Sequence, residues 1–238
     1  MVSIPLYLSV ENDCEYLSGN KSRLIFVAQD FPMTSEIYSQ LASKGFRRSG
    51  EMVYGPKCDH CSACVPVRIP VREFSPTRSQ RRALTKNSDL SVSHQPMKFN
   101  GECFELYTRY LETRHRDGSM AGSTPDDFLQ FLSSPWSSTK IIEFRLSNKL
   151  VCVAVVDYMD NSLSAVYSFF DPEYTDRSLG IFSILWQIQA AKELGLNWVY
   201  LGFWIQKCQK MAYKNLFRPI EAYNNGTWQI FQKDDVMS

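Results

Sequence analysis

At 238 residues with 44% hydrophobic content, the chain is long enough to bury a core of ordinary size, as one compact unit or as two small interlocked domains. Fifteen Phe, twelve Tyr and five Trp spread along the whole length exclude a disordered half. A net charge of +1 does not announce a nucleic-acid binder, so local charge has to decide.

The first residues, Met1 to Leu6, carry no basic region ahead of their apolar side chains, and Glu11 and Asp13 follow soon after, so no secretory signal is expected. Leu24 to Ala28 reads as a strand and Ser35 to Ser43 as a helix ended by Gly45. Val65 to Val71 alternates apolar and other residues but holds Pro66 and Pro70, which predicts an edge or irregular strand. Ser75-Pro76 marks a turn into a basic helix from Thr77 to Lys86.

Phe99 to Arg116 supports a helix with Phe104, Tyr107 and Leu111 on one face, most simply a core face. A short helix follows at Asp126 to Leu132. Ile141 to Arg145 and Val151 to Tyr158 read as a hairpin turning at Ser147-Asn148, and Leu163 to Phe170 as a further strand closed by Asp171-Pro172. Ser178 offers an N-cap to a long helix through Leu194, stopped at Gly195, whose Phe182, Leu185 and Ile188 stripe reads as core. Trp198 to Phe203 resumes as a strand, a short helix lies near Gln209 to Phe217, and Asn224-Asn225-Gly226 predicts a final hairpin. The longest apolar-looking run, Ser178 to Ala191, is interrupted by Gln187 and Gln189 and is too short for a bilayer; a cytoplasmic protein with no membrane partner is expected.

The second half thus has the element order of an acetyltransferase-like (GNAT-type) α+β fold with a mixed sheet. A division into an N-terminal cysteine-containing domain, 1–95, and an acyl-transfer domain, 96–238, is expected. Acetyltransferases of that type bind the coenzyme A pyrophosphate at a helix N-terminus through a loop with small residues. Here Arg177-Ser178-Leu179-Gly180-Ile181-Phe182 ends on a bulky residue where phosphate should approach, which disfavours coenzyme A.

Seven cysteines, an odd number, point to reduced thiols that are buried or bind metal. Cys58, Cys61 and Cys64 form a Cys-x2-Cys-x2-Cys run, and Cys14 or His60 supplies a fourth ligand if the run holds structural zinc or an iron–sulfur cluster. The plain alternative is a loop packed by small thiols. Between Val65 and Asn87 six basic residues (Arg68, Arg72, Arg78, Arg81, Arg82, Lys86) oppose only Glu73. Their guanidinium groups suit phosphate or carboxylate, although a solvated helix face has the same composition. Lys207, Lys210, Lys214 and Arg218 form a second cluster, interleaved with Tyr213 and Phe217 in a manner that suits stacking on unpaired nucleotides. His94, His115 and the serines form no nucleophile motif.

Gly45-Phe46-Arg47-Arg48-Ser49-Gly50, the Cys58 to Pro66 run, Arg78-Ser79-Gln80-Arg81-Arg82, Ser178-Leu179-Gly180, Tyr200-Leu201-Gly202-Phe203-Trp204, Lys210 to Lys214 and Phe217-Arg218-Pro219 together resemble the arginyl-tRNA–protein transferase family. The resemblance runs from about Cys14 to Trp228. The short length is similar to the bacterial aspartate/glutamate leucyltransferase branch, which implies transfer of leucine from leucyl-tRNA to proteins beginning with Asp or Glu, with arginine as the competing donor. The resemblance implies no cofactor for the chemistry itself. The other classes are a coenzyme A-dependent N-acetyltransferase and a non-catalytic zinc module that binds RNA.

Such a reaction is aminolysis of an ester by an α-amine whose pKa near 8 leaves a useful neutral fraction. Backbone N–H groups where the strands holding Tyr167 and Tyr200 diverge are expected to face the oxyanion, with Gly202 permitting close approach and Asp171 or a tyrosine hydroxyl managing the proton. The acceptor carboxylate calls for an arginine: Arg78 first, Arg47 and Arg177 as rivals. Arg81, Arg82, Lys210, Tyr213, Lys214 and Arg218 are expected to hold the tRNA.

Overall fold

A computed structural model describes residues 3–114, 120 and 122–231. The first part contains β1 (Leu6–Leu8), β2 (Asn12–Asp13), β3 (Lys21–Ser22), β4 (Leu24–Val27), α1 (Ser35–Ala42), β5 (Arg47–Ser49) and β6 (Met52–Pro56). A four-stranded sheet in the order β1-β4-β6-β5 packs with α1, and β2 with β3 forms a separate short ribbon.

The chain then runs through β7 (Val65–Pro70), α2 (Arg78–Lys86), β8 (Leu90–Pro96), α3 (Gly101–Arg114), α4 (Pro125–Leu132), β9 (Ser138–Leu146), β10 (Lys149–Met159), β11 (Ser162–Phe170), α5 (Leu179–Glu193), β12 (Trp198–Trp204), α6 (Gln209–Ala212), β13 (Glu221–Asn224) and β14 (Thr227–Ile230). His115 and Arg116, at the end of the expected third helix, lie outside the described residues. The eight-stranded sheet has the order β14-β13-β7-β12-β11-β10-β9-β8. Its one parallel pair, β11 with β12, is joined through α5, and every other neighbouring pair is antiparallel. This is the mixed sheet of an acetyltransferase-like α+β fold. The sheet crosses the 95/96 division, because β7 and nearly all of β8 precede it and pair with strands that follow it.

Both faces of the sheet are covered, which explains why β10 is apolar without alternation. Cys152, Ala154 and Val156 face the core built with α2 and α5, while Val153 and Val155 face the core built with α3 and α4. Phe182, Leu185 and Ile188 of α5 are buried in the first of these cores, and Tyr107 and Leu111 of α3 in the second. Each such side chain contributes roughly 1.5–3 kcal/mol on burial. The final hairpin turns through Asn225 and Gly226, whose φ values of 48° and 83° are those of a type I′ turn.

Three local expectations change. β7 is interior, between β13 and β12, despite its prolines. β13 pairs only with Arg68 and Val67, so Pro66 and Pro70 sit where β7 has a strand on one side alone. Ser178 precedes α5 in a left-handed conformation and makes no side-chain cap, because a 3-10 turn from Pro172 to Arg177 leads straight into the helix. β8 was not foreseen as a strand; its partner β9 covers one edge and its side chains are largely exposed.

Candidate active site at the opening between two strands

β11 and β12 pair at Ser162 with Trp198, Leu163 with Val199 and Ser164 with Tyr200, then part, although β11 runs on to Phe170 and β12 to Trp204. Register shifts mark both rims. One lies opposite Val155 and Val156 and leaves Val166 out of the β10 ladder; the other falls between Tyr200 and Gly202 and leaves Leu201 out of the β7 ladder. An extra residue in a strand bends and twists it, so the two irregularities turn the strands apart. Beyond Ser164 and Tyr200 neither strand bonds the other across the opening.

Arg47, from β5, fills the start of this opening. Its Nη2 donates to the carbonyls of Ala165 and Val166, both at 3.1 Å. Its Nη1 lies against Gly202, where an added Cβ would sit 1.4 Å away and where φ is +76°. Gly202 therefore does permit a close approach, but by an arginine of the same chain. Arg47 makes no ion pair among the described residues, and the bonds to Ala165 and Val166 leave Nε and Nη1 without a protein acceptor.

The neighbour Arg48 sets this orientation. Its side chain is fully buried, pairs with Asp157 of β10 at 2.6 and 2.7 Å, and also donates to Leu132 O, Gly50 O and Thr139 Oγ1. Consecutive residues of a strand face opposite ways, so fixing Arg48 toward Asp157 turns Arg47 toward the opening. Behind Arg47 a cavity of about 10 Å³, room for one water, is lined by Gly45, Ser164, Tyr200, Gly202 and Trp228 among others.

Tyr200 belongs to the support of the site. Its hydroxyl accepts from Arg68 Nη1 at 3.2 Å, and the Arg68 guanidinium lies between Trp198 and Trp228, 4.1 and 4.2 Å from their ring centroids, and pairs with Glu221. Sequence reasoning missed this role; the available signal was a cation, Arg68, between the apolar Val67 and Ile69. Tyr167 lines the β11 side, packed edge-on with Tyr107, Tyr110 and Phe131, while Tyr110 also meets Phe170. Burial pushes the Tyr110 hydroxyl up to about 12 and raises that of Tyr167 as well, so both stay protonated at neutral pH.

Tyr213 and Lys214 follow α6 and lie within reach of the Arg47 charge. Lys214 differs from its expected place on a tRNA-facing surface. It is 5% exposed, and its Nζ donates to Phe203 O at 2.5 Å and to Met211 Sδ at 3.4 Å. Burial then sets its chemistry, holding the amine well below the ordinary lysine value, with the Arg47 charge acting the same way. Arg218 is also turned inward, toward Phe231 O and Asn215 Oδ1.

The remaining cations divide. Arg177 is spent on Asp89, at 2.8 and 2.9 Å, and on Lys86 O. Arg78, Arg81, Arg82 and Lys210 are exposed. α2 and the segment leading into it are tied to the segment after α6 by Gln80 Nε2, which donates to Leu216 O at 3.0 Å, and by Phe74 against Phe217. The exposed arginines therefore lie on the helix that borders the Tyr213 and Lys214 segment. Asp171, expected to manage a proton, is fully buried. Burial alone would raise its pKa, but the Glu173 N–H, Lys149 and Arg109 hold its carboxyl below the usual range. It shapes the turn after β11.

Cys14, Cys58, Cys61 and Cys64 are free thiols, each half-buried. They cluster: burial raises the Cys64 thiol to about 12, reinforced by Cys58, Cys14, Cys61 and Cys208. Cys58 Sγ is occupied by Arg23 N and O, and Asn20 Nδ2 approaches Cys61 Sγ at 3.9 Å. Among the described residues no group of three or more His, Cys, Asp or Glu is placed to hold a metal ion. Phe182 likewise departs from expectation. It does not stand over the N-terminus of α5 but packs against Phe144, 5.3 Å between ring centroids, so the sequence argument against coenzyme A loses its steric basis.

Among the described residues no helix is long and apolar enough to cross a membrane. Among solved structures the chain is similar to L-PGS from Bacillus licheniformis (12% identical, 59% of this chain and 45% of that chain, TM-score 0.46) and to FemX (10% identical, 84% and 61%, TM-score 0.45). Among curated proteins it is similar to aspartate/glutamate leucyltransferases. That of Nitrosococcus oceani is 49% identical over 95% of this chain and 96% of its own length. Those of Pseudomonas aeruginosa and Alcanivorax borkumensis are each 44% identical, over 96% and 91% of this chain and 97% and 89% of their own. Two profiles, described as the N terminus and the C terminus of arginine-tRNA-protein transferase, match residues 12–82 and 102–224. With these matches spanning both the opening and the basic helix beside it, the chain belongs to the arginine-tRNA–protein transferase family.

Proposed function

We propose that the protein transfers leucine from leucyl-tRNA to the α-amine of proteins whose N-terminal residue is Asp or Glu, converting it into a destabilising N-terminus in the cytoplasm. The observation that carries this reading is Arg47: a guanidinium with free N–H groups and no carboxylate partner among the described residues, held in the opening where β11 and β12 part. Such a group favours a planar anion and binds a carboxylate through paired N–H bonds. Arg47 thereby replaces Arg78 as the acceptor reader, and exposed Arg78, Arg81, Arg82 and Lys210 are left to the phosphates of the tRNA acceptor stem. The names of the curated relatives supply leucine and the acidic acceptor.

The chemistry needs little beyond alignment. The aminoacyl ester is already activated, so holding the amine against it supplies most of the rate, and backbone N–H groups of the parted strands that face the opening favour the developing oxyanion. Aminolysis itself calls for no cofactor. Arginine as donor is the second reading, favoured by the family's description.

The test is a transfer assay with leucyl-tRNA, arginyl-tRNA and acetyl-coenzyme A as donors and peptides starting with Asp, Glu or Ala as acceptors. Leucine on the Asp and Glu peptides alone is expected. Transfer to the Ala peptide at the same rate overturns the acidic-acceptor reading, arginine transfer replaces the donor, and acetyl transfer replaces the reaction class.

A further inference from the structure

Phe203 lies in β12 past the point where β11 leaves it, and its antiparallel neighbour in β7 is Pro66, which has no N–H. Its carbonyl is therefore without a strand donor, and Lys214 Nζ takes that place at 2.5 Å. A second N–H of Nζ is directed at Met211 Sδ, 3.4 Å away. A neutral amine has two N–H groups and one lone pair, and these two contacts use both N–H groups. The groups acting on it are Arg47 from β5, Cys208 ahead of α6 and Cys64 ahead of β7. Lys214 makes no ion pair among the described residues. Burial and the Arg47 cation both favour the uncharged amine, and the two cysteines oppose this. A lysine used only to attract phosphate would be exposed, as Lys210 is.

We propose that Lys214, hydrogen-bonded to a carbonyl of β12 beyond the point where β11 parts from it, handles the proton of the transfer step. This deepens the transfer reading above and rests on it. As the acceptor nitrogen bonds the ester carbon, Nζ accepts the proton that nitrogen loses. As the bond from that carbon to the ribose oxygen breaks, the Nζ ammonium returns the proton to the oxygen. The products are an amide and a free tRNA hydroxyl, and Lys214 ends neutral, so nothing is consumed. Below the α-amine pKa of about 8 the acceptor arrives as an ammonium, and Nζ takes that first proton and passes it to solvent, returning to the neutral amine before the transfer step.

The experiment has two arms on the full chain. In the first, single-turnover leucine transfer from saturating leucyl-tRNA to an Asp peptide is followed from pH 5.5 to 9.5 for wild type, Lys214→Met and Lys214→Arg. A positioned general base contributes about 10²–10⁴-fold, so both variants are expected to lose at least about 100-fold in the rate of the step. Their tRNA affinity should stay within about twofold, since Lys214 is buried, and their remaining rate should climb with pH through the α-amine pKa instead of levelling below it. A purely structural cation would be rescued by Lys214→Arg with the wild-type pH profile, and that outcome overturns the proposal. In the second arm the Nζ nitrogen resonance of 15N-lysine wild-type protein, assigned through its contact with Met211, whose Sδ lies 3.4 Å away, is titrated. A neutral amine at pH 8 supports the proposal, and an ammonium persisting to pH 10 overturns it even if the variants fail to fold. Absence of leucine transfer by wild type would instead refute the function proposed above, which the titration does not depend on.

Discussion

Arg47 and Gly202 are fitted to one another: the guanidinium lies where a side chain at 202 would begin, 1.4 Å from an ideal Cβ, and the backbone there has a φ of +76°. A β-carbon would both strain this left-handed backbone, at about 1–2 kcal/mol, and expel Arg47 from the carbonyls of Ala165 and Val166. Gly202→Ala is expected to lower kcat/KM for an Asp peptide by about 100-fold, the cost of misplacing a reacting group by an ångström. Thermal melting of the same variant separates this loss from unfolding; a folded variant with wild-type turnover would show that Arg47 has no part in the reaction.

The pair behind it answers to a different measurement. Arg48 and Asp157 are both fully buried, and removing one partner strands the other's charge. Arg48→Met or Asp157→Asn should each cost about 3–5 kcal/mol in urea unfolding, while the double replacement Arg48→Met with Asp157→Leu should recover a good part of that loss. Additive losses would mean the ion pair is not the unit that holds β5 to β10.

Salt dependence tests the basic helix. Arg78→Ala and Arg82→Ala should each weaken tRNA binding and flatten its dependence on salt by about 0.7–0.9 in slope, the release of one counterion per lost phosphate contact. Arg177→Ala should leave that slope unchanged, because its guanidinium is already held by Asp89. Fluorescence anisotropy between low and moderate salt reads both.

Acid stability follows from Asp171. Its folded carboxyl lies below the usual value of 3.8, so it binds its proton less readily when folded than when unfolded. The stability it lends is complete above pH 4 to 5 and is lost as pH falls from 3.8 through the lowered folded value. Asp171→Asn should therefore be less stable than wild type at pH 7 and lose less further stability on acidification. Parallel acid-unfolding curves for the two proteins would contradict that assignment.

Much of this arrangement was legible in the chain before any coordinates. Helix α2, the hairpin through Asn225-Gly226, and the mixed sheet with its α5 crossover all follow from local signals: a Ser-Pro turn ahead of a basic run, turn residues and the change of apolar period. Long-range partners were not legible. Nothing local tells Arg47, which enters the opening, from Arg48, which is sealed against Asp157, since they are adjacent and alike. Lys214 reads as surface charge beside Lys207 and Lys210, and only the missing donor for Phe203 O explains its burial. The prolines of β7 pointed to an edge because the sequence cannot show that β13 is too short to need their N–H groups.

The central claim is that Arg47 reads the acidic side chain of the acceptor at the opening between β11 and β12. It is tested most directly by the ratio of kcat/KM for Asp and Ala peptides, with leucyl-tRNA as donor, in wild type and Arg47→Lys. Losing a bidentate charge-assisted contact worth about 1.5–3 kcal/mol should reduce the Asp preference by about 10- to 100-fold while leaving turnover of the Ala peptide nearly unchanged. An undiminished Asp preference in a folded Arg47→Lys protein would place the acceptor reader elsewhere and contradict the account.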